Sequence, residues 1–315
     1  MRGAVRLMLG AALLLTTPLQ AAPAKTAPSP AFAADFRQLQ AADARLNAIG
    51  FRLARANAAF CRDVQPSTGM LLTDAATYGQ PAAVRHLLGI QGDIAVAAVA
   101  PESPAERAGI RPGDEVVGLA LAMPPSSQNV MQRLNLLQGL YDAMARDVGQ
   151  VRVELRSGTV IAGTVPACRA RFELTTDDKG ARAGKLIVQV SRALLDEAQG
   201  DDEAAFAVAH ELAHIVLGHS RPGRTAAQLR ADERTADELA PWLMANAGYD
   251  PDTGLTLLRR WGARGLRMLG DGSHDAPAAR QRRVAAQIAL IFADTVGAEG
   301  KHDWRPLFVP ARPVP

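Results

Sequence analysis

The sequence predicts an α+β protein built from two small domains, a C-terminal domain that is mainly helical and an N-terminal domain of short strands. The chain has 315 residues, of which 48% are hydrophobic, and this supplies material for two small cores. Long runs of helix-forming residues occupy about 201–217 and 225–247. Short apolar runs broken by Gly and Pro occupy 94–117 and 150–165, as expected for strands joined by turns.

The beginning of the chain is predicted to precede the folded domains. Arg2 and Arg6 lie before an apolar run at 7–15, and small residues follow, which is the pattern of a secretory signal peptide over residues 1–22. The run is too short to span a bilayer, so we expect a mature chain without a transmembrane segment, in the periplasm or secreted. Residues 23–34, rich in Ala, Pro and Ser, are predicted to form a flexible leader.

A helical segment is predicted next, over residues 35–84, with an amphipathic helix at 35–60. Apolar residues recur there at helical spacing, among them Phe36, Leu39, Leu46 and Leu53. We expect this amphipathic face to pack on one of the two domains.

Residues 85–168 carry the signals of a small β domain. A strand is predicted at 94–99, followed by a short helix with Ser103 as its N-cap and Pro104 in its first position. Gly109 ends that helix, and a turn at 112–114 leads into the next strand. A helix from about 129 to 146 and strands at 150–156 and 159–165 complete the prediction.

The string from Ser103 to Asp114 resembles the PDZ domains attached to bacterial proteases. The resemblance implies a PDZ-like β-sandwich or barrel that binds the C-terminal peptide of a partner. Its carboxylate-binding loop would lie before the strand at 94–99, near residues 87–90.

The most informative motif is His210-Glu211-Leu212-Ala213-His214. Two His four residues apart share one face of a helix, so both imidazoles can bind one metal ion. A Glu beside the first His can take a proton from metal-bound water, which is the arrangement of zinc peptidases. The alternative is a core helix whose His pair bonds to backbone carbonyls.

The next predicted helix carries two acidic residues that can complete the metal site. Glu233 and Asp237 are four residues apart and share a face. Glu233 can complete a two-His, one-Glu site for one Zn²⁺ per chain, and Asp237 can orient a ligand His through its second ring nitrogen. The alternative for both is a solvated acidic face beside Arg230 and Arg234.

Together these motifs resemble the HtpX and CAAX-prenyl endopeptidase family of gluzincins over about 183–295. The chain departs from the family at Asp275, where the family has Pro after the Ser-His pair. The resemblance implies a metallopeptidase domain over residues 169–297, followed by a loose Pro-rich tail at 298–315. It also implies that His274 either binds the zinc or donates to the oxyanion, and that Arg280 stabilises the cleft electrostatically. Residues 185–195 would form an edge strand that receives substrate backbone.

The two cysteines, Cys61 and Cys168, are an even pair. In an exported chain such a pair predicts a disulfide, with buried free thiols as the alternative. The remaining histidines, His219, His86 and His302, lack partner spacing and are interpreted as surface or hydrogen-bonded residues.

The net charge is +3 with a pI near 9.1, and no basic stretch is interleaved with aromatic residues, so nucleic acid is excluded as an expected partner. The sequence thus predicts an exported zinc endopeptidase, acting on protein or peptide substrates in envelope quality control. Two other classes stay open. One is a PDZ-based binder or chaperone-like module with little proteolysis, which would not need Glu211. The other is a structural zinc protein, whose sites favour four ligands rich in Cys.

Overall fold

A computed structural model describes residues 27–119, 129–177, 180–219, 222–263, 275–294 and 300–309. The predicted signal peptide lies outside these residues, and so does His274. The α-helices are α1 (Pro30–Ala56), α2 (Pro81–Leu88), α3 (Pro104–Arg107), α4 (Val130–Val148), α5 (Arg192–Glu197), α6 (Asp201–Val216), α7 (Ala226–Asn246), α8 (Thr253–Ala263), α9 (Pro277–Ala293) and α10 (Arg305–Phe308). The strands are β1 (Val64–Ser67), β2 (Met70–Asp74), β3 (Ile94–Val99), β4 (Val116–Leu119), β5 (Gln150–Leu155), β6 (Gly158–Gly163), β7 (Val165–Cys168), β8 (Arg171–Thr175), β9 (Ala181–Ala183) and β10 (Ile187–Ser191).

The strands form four small sheets. Two of them are the antiparallel pairs β1–β7 and β2–β3, and the other two have the orders β4-β5-β6 and β8-β10-β9. An isolated bridge between Ala95 and Glu115 joins β3 to the chain entering β4. The fold therefore mixes α and β as predicted, but the described strands do not close into a barrel.

Two main hydrophobic cores hold these elements together. The larger one joins Leu46, Ile49 and Leu53 of α1 to the buried faces of α6, α7, α8 and α9. The second runs from Met70 to Ala162 and unites β2, β3, β4, β5, β6 and α4. Helix α1 is thus distant in sequence from the helices with which it shares a core.

The chain enters and leaves the second core at one place. Strand β1 pairs with β7 so that Val64 lies opposite Cys168. Beside this pair a disulfide joins Cys61 to Cys168, whose Cα atoms are 5.5 Å apart. Residues 64–167 therefore form an insertion whose two ends are tied together.

Several predicted elements are confirmed. Strand β3 spans 94–99, Ser103 caps α3 by accepting from the N–H of Glu106, and Gly109 follows with φ +83°. Helix α4 and strands β5 and β6 agree with the predicted elements to within two residues. The predicted disulfide is present.

The terminal segments differ from the prediction. Helix α1 begins at Pro30, inside the predicted leader, because Ser29 caps it and Pro30 suits its first position. The segment 35–84 is not helical throughout, since β1 and β2 follow α1. In the predicted loose tail, the Trp304 side chain is 1% exposed and donates to Asn57.

The prediction that residues 185–195 form an edge strand is wrong. Strand β10 is central, pairing in parallel with β8 and antiparallel with β9. The two edges of this sheet are instead β8 and β9, and β9 packs against α6. Among the described residues, the helices are too short or too polar to span a membrane.

Candidate metal centre

Helix α6 presents His210, Glu211 and His214. It begins with three acidic residues, which the positive end of the helix dipole favours. Every residue from Glu203 to Ala213 is buried, so the first His and the Glu lie inside the larger core. Burying such polar groups is costly without partners, and the partners come from α7.

Helix α7 brings the acidic residues to this face. Thr225 and Gln228 form a capping box that fixes the start of the helix. Helices α6 and α7 pack closely along their lengths. As a result, Glu233 and Asp237, one turn apart on α7, both reach the His210 ring from different sides.

Three potential ligand atoms converge at one point. His210 Nε2 lies 3.2 Å from Glu233 Oε2, His214 Nε2 lies 3.5 Å from the same oxygen, and the two Nε2 atoms are 3.4 Å apart. For ligands bonded tetrahedrally at about 2.0–2.1 Å, neighbouring ligand atoms should lie about 3.3–3.4 Å apart. The two imidazoles and the carboxylate, a set able to hold a metal ion, therefore fit zinc in both chemistry and spacing.

A buried ion pair supports His210 from behind. Its Nδ1 lies 3.1 Å from Asp237 Oδ1. Arg280 donates to the same carboxylate through Nε at 2.8 Å and Nη2 at 2.5 Å, and both side chains are at most 2% exposed. Burial alone would raise the pKa of Asp237, but hydrogen bonding to His210 and Arg280 holds it well below its ordinary value. The carboxylate is thus charged and can hold the His210 ring in one orientation.

The charges around His210 favour a cation. Burial lowers the pKa of His210, but hydrogen bonding to Asp237 and Glu233 more than offsets this and raises the pKa to about 10. Glu211 adds to the same negative field. A pocket that draws a positive charge so strongly suits a divalent metal.

The sequence interpretation missed the role of His219. This residue is not an isolated surface His: its Nδ1 lies 3.1 Å from His214 Nδ1, and its Nε2 lies 3.6 Å from Asp232 Oδ1. Arg224 in turn donates to both oxygens of Asp232. Burial is the first cause that lowers the pKa of His219, to about 4, and His214 is the second. A neutral His219 can accept a hydrogen bond from His214.

The end of α6 explains why His219 lies there. Gly218 has φ +71°, its N–H donates to Ile215 O at 3.0 Å, and the N–H of His219 donates to His214 O at 2.9 Å. This pair of bonds is the Schellman motif, which places the residue after the Gly beside the third-last helical residue. A Gly followed by His directly after the helix is the sequence signal that could have revealed the contact.

The remaining predicted site residues lie nearby or outside the described chain. Glu211 is buried on α6 beside His210. His274 falls outside the described residues, whereas Asp275, the departure from the family pattern, accepts from Arg234 at 2.7 Å and pairs with Arg283 at 2.9 Å. Arg280 does contact a predicted site residue, namely Asp237.

Comparison with known proteins agrees with this geometry. No curated protein sequence matches the chain. Residues 179–229 match Peptidase family M48, a segment that contains β9, β10, α6 and His219 and ends four residues before Glu233. The part of the chain that carries the His-Glu-x-x-His helix is therefore similar to Peptidase family M48, a family of metal-dependent proteases.

Proposed function

We propose that this protein is a zinc-dependent endopeptidase that holds one Zn²⁺ on His210, His214 and Glu233. The observation that carries the proposal is the convergence of two imidazole nitrogens and one carboxylate oxygen at tetrahedral separations. Three protein ligands leave a fourth position open, as in catalytic zinc sites. A structural site is disfavoured, because the only two cysteines of the chain are joined to each other.

The chemistry divides among the residues of the site. Zinc bound there would supply a Lewis acid that polarises a peptide carbonyl and makes a water molecule more acidic. Glu211 takes the proton of the attacking water and passes it to the leaving amine. Asp237 and His219 each accept the Nδ1 proton of a ligand His, so that Nε2 of each ring stays available as a donor atom.

Substrate backbone binds along β9 in this proposal. Strand β9 pairs with β10 alone among the described strands and packs against α6. An extended peptide can add to such an edge through main-chain hydrogen bonds. Its scissile carbonyl then lies close to the zinc helix.

The insertion at 64–167 is proposed to capture peptide as a PDZ-like unit. A cavity of about 330 Å³ separates β2 from α4. The loop at 67–69 leads into β2, and we propose it as the carboxylate-binding loop in place of residues 87–90, the first two of which end helix α2. A binder without proteolysis is disfavoured by the buried Glu211 beside the ligand cluster.

Export to the periplasm, and work in envelope protein quality control, complete the proposal. The signal-like residues 1–22 support export, and so does the disulfide, because disulfides persist in oxidising compartments.

The test compares purified full-length variants for metal content and for casein cleavage. Glu211→Gln should retain zinc and lose about 10²-fold or more of its activity, since it lacks the proton acceptor. His214→Ala should lose both zinc and activity. Glu102→Gln, at an exposed position in the insertion, is the control. Full activity in zinc-loaded Glu211→Gln would overturn the mechanism.

A further inference from the structure

The cavity between β2 and α4, which we call the β2–α4 groove, contains a carboxylate that a peptide groove does not require. Helix α1 also lines this groove. The residues relevant here are Asp43, Phe51, Leu72, Leu134, Gln138 and Asp142. We propose that Asp43 makes this groove selective for an extended peptide bearing a lysine or arginine side chain. The inference rests on peptide capture by the insertion.

The shape of the groove fits an extended chain. Residues 69–73 all line it, so it follows one edge of β2. Within the described sheets β2 pairs only with β3, and the edge along the groove is open to a further strand. On the opposite wall α4 contributes Leu134, Gln138 and Tyr141, which share one helical face. A strand edge facing a helix is a geometry in which a peptide can add by β-pairing.

The charges in the groove are not balanced. Asp142 accepts from Arg171 at 3.1 Å and from Gln138 at 2.8 Å, and Glu173 accepts from Gln189 at 3.2 Å. Asp43, in contrast, has no hydrogen bond or ion pair with the residues that the structure describes, although burial and, after it, the charge of Asp43 raise the pKa of the nearby Tyr78. Burial raises the pKa of Asp43 to about 6. A partly buried carboxylate without a partner is costly, and such groups cluster at functional sites.

A basic side chain is a better partner for the Asp43 carboxylate than a metal ion is. A single free carboxylate is a poor site for a divalent cation, which prefers several oxygen ligands. Lysine and arginine combine a charged head with a long apolar stem. The stem can pack on Phe51, Leu72 and Leu134, which line the same groove, while the head pairs with Asp43. Because Asp43 belongs to α1, this selectivity comes from outside the insertion.

The experiment measures peptide affinity in the full-length chain carrying Glu211→Gln, which prevents cleavage. Labelled alanine–valine hexapeptides carry one lysine at each position in turn, and a matched set carries norleucine there. At one position the lysine peptide should bind about tenfold more tightly, the size of one charged hydrogen bond. Asp43→Asn should abolish that preference, and so should Asp43→Ser. Asp35→Asn, an exposed position on the same helix, should leave it unchanged.

The outcomes separate this inference from the proposed function. Equal affinity for lysine and norleucine peptides at every position would overturn the role of Asp43 while leaving peptide capture standing. A lysine preference that survives in both Asp43 variants would also overturn it. Absence of binding by every peptide would overturn capture and selectivity together. Casein cleavage by the chain with native Glu211 decides the peptidase proposal independently.

Discussion

Nδ1 of His219 lies 3.1 Å from Nδ1 of His214, so two imidazoles are within hydrogen-bonding distance at the candidate metal centre. If His214 offers Nε2 to a metal, its Nδ1 carries the proton and His219 is the acceptor. His210 has a carboxylate in the corresponding place. The two ligand histidines are therefore supported by different chemistry, one by a charged group and one by a neutral ring.

His219→Ala should weaken zinc binding by about 10–100-fold, the usual effect of removing a group that orients a metal ligand. Competition with a fluorescent chelator measures this, with casein cleavage at saturating zinc as a second readout. His86→Ala is the control, because His86 is exposed on α2. Unchanged zinc affinity would show that the contact does not orient His214.

Arg280→Ala should lower the free energy of unfolding by about 3–5 kcal/mol, since it leaves Asp237 charged and buried without its bidentate partner. Urea unfolding of the two proteins gives this difference. Arg282→Ala, two residues along α9 and exposed, should change stability by about 0.5 kcal/mol at most. Equal effects of the two substitutions would contradict the importance of the buried pair.

Glu115 should make the protein sensitive to acid. Arg156 is the main cause that lowers the pKa of Glu115 to about 2, against burial and with help from the N–H groups of Gln91 and Gly92. The unfolded value is about 4.3, so this stabilisation is present above about pH 4 and is lost as the pH falls towards 2. Glu115→Gln should cost about 2–3 kcal/mol at pH 7. The difference from wild type should shrink below pH 4.

The control for that measurement is Glu102→Gln, because the Glu102 side chain is 80% exposed. Its unfolding free energy should follow the wild-type curve at every pH. A difference between Glu115→Gln and wild type that stays constant from pH 7 to pH 3 would show that the ion pair does not produce the acid sensitivity.

Removal of the insertion should leave a folded, zinc-binding protein. Cys61 and Cys168 have Cα atoms 5.5 Å apart, so three residues replacing 62–167 can bridge them, with both cysteines changed to Ser. A chain that starts at residue 169 should fail to fold, because it lacks α1 and exposes the core that Leu46, Ile49 and Leu53 cover. Circular dichroism and zinc content distinguish the two. A folded, zinc-loaded chain from residue 169 onwards would refute the contribution of α1.

The parts of the site that depend on helical periodicity could be predicted from the sequence. His210 and His214 share a face because they are four residues apart, and Glu233 and Asp237 do so for the same reason. Which ring each carboxylate meets depends on how α6 and α7 pack, and sequence spacing does not contain that information. The contact of His219 depends on the left-handed conformation at Gly218, which a Gly directly after a helix indicates in the sequence.

The errors in the fold arose from long-range pairing. An apolar strand such as β10 has the same sequence pattern at the edge of a sheet as in its centre. Its central position depends on pairing with β8 and β9. The length of α1 could be inferred from its apolar spacing, but its packing partners lie about 150 residues away in the sequence. Strands β1 and β2 are short, and β1 contains Pro66, so their pattern was too weak to interrupt the predicted helical segment.

The shared core of α1 and α6 has a consequence for the order in which the chain can fold. Helix α1 comes first in the sequence, yet the surface on which it packs belongs to α6 and α7, which lie about 150 residues later. The insertion between them has its own core and can fold before the apolar face of α1 is covered by the later helices. The Cys61–Cys168 bond can form as soon as the insertion closes. It then holds the end of α1 near the chain that follows, and so shortens the search for its late partners.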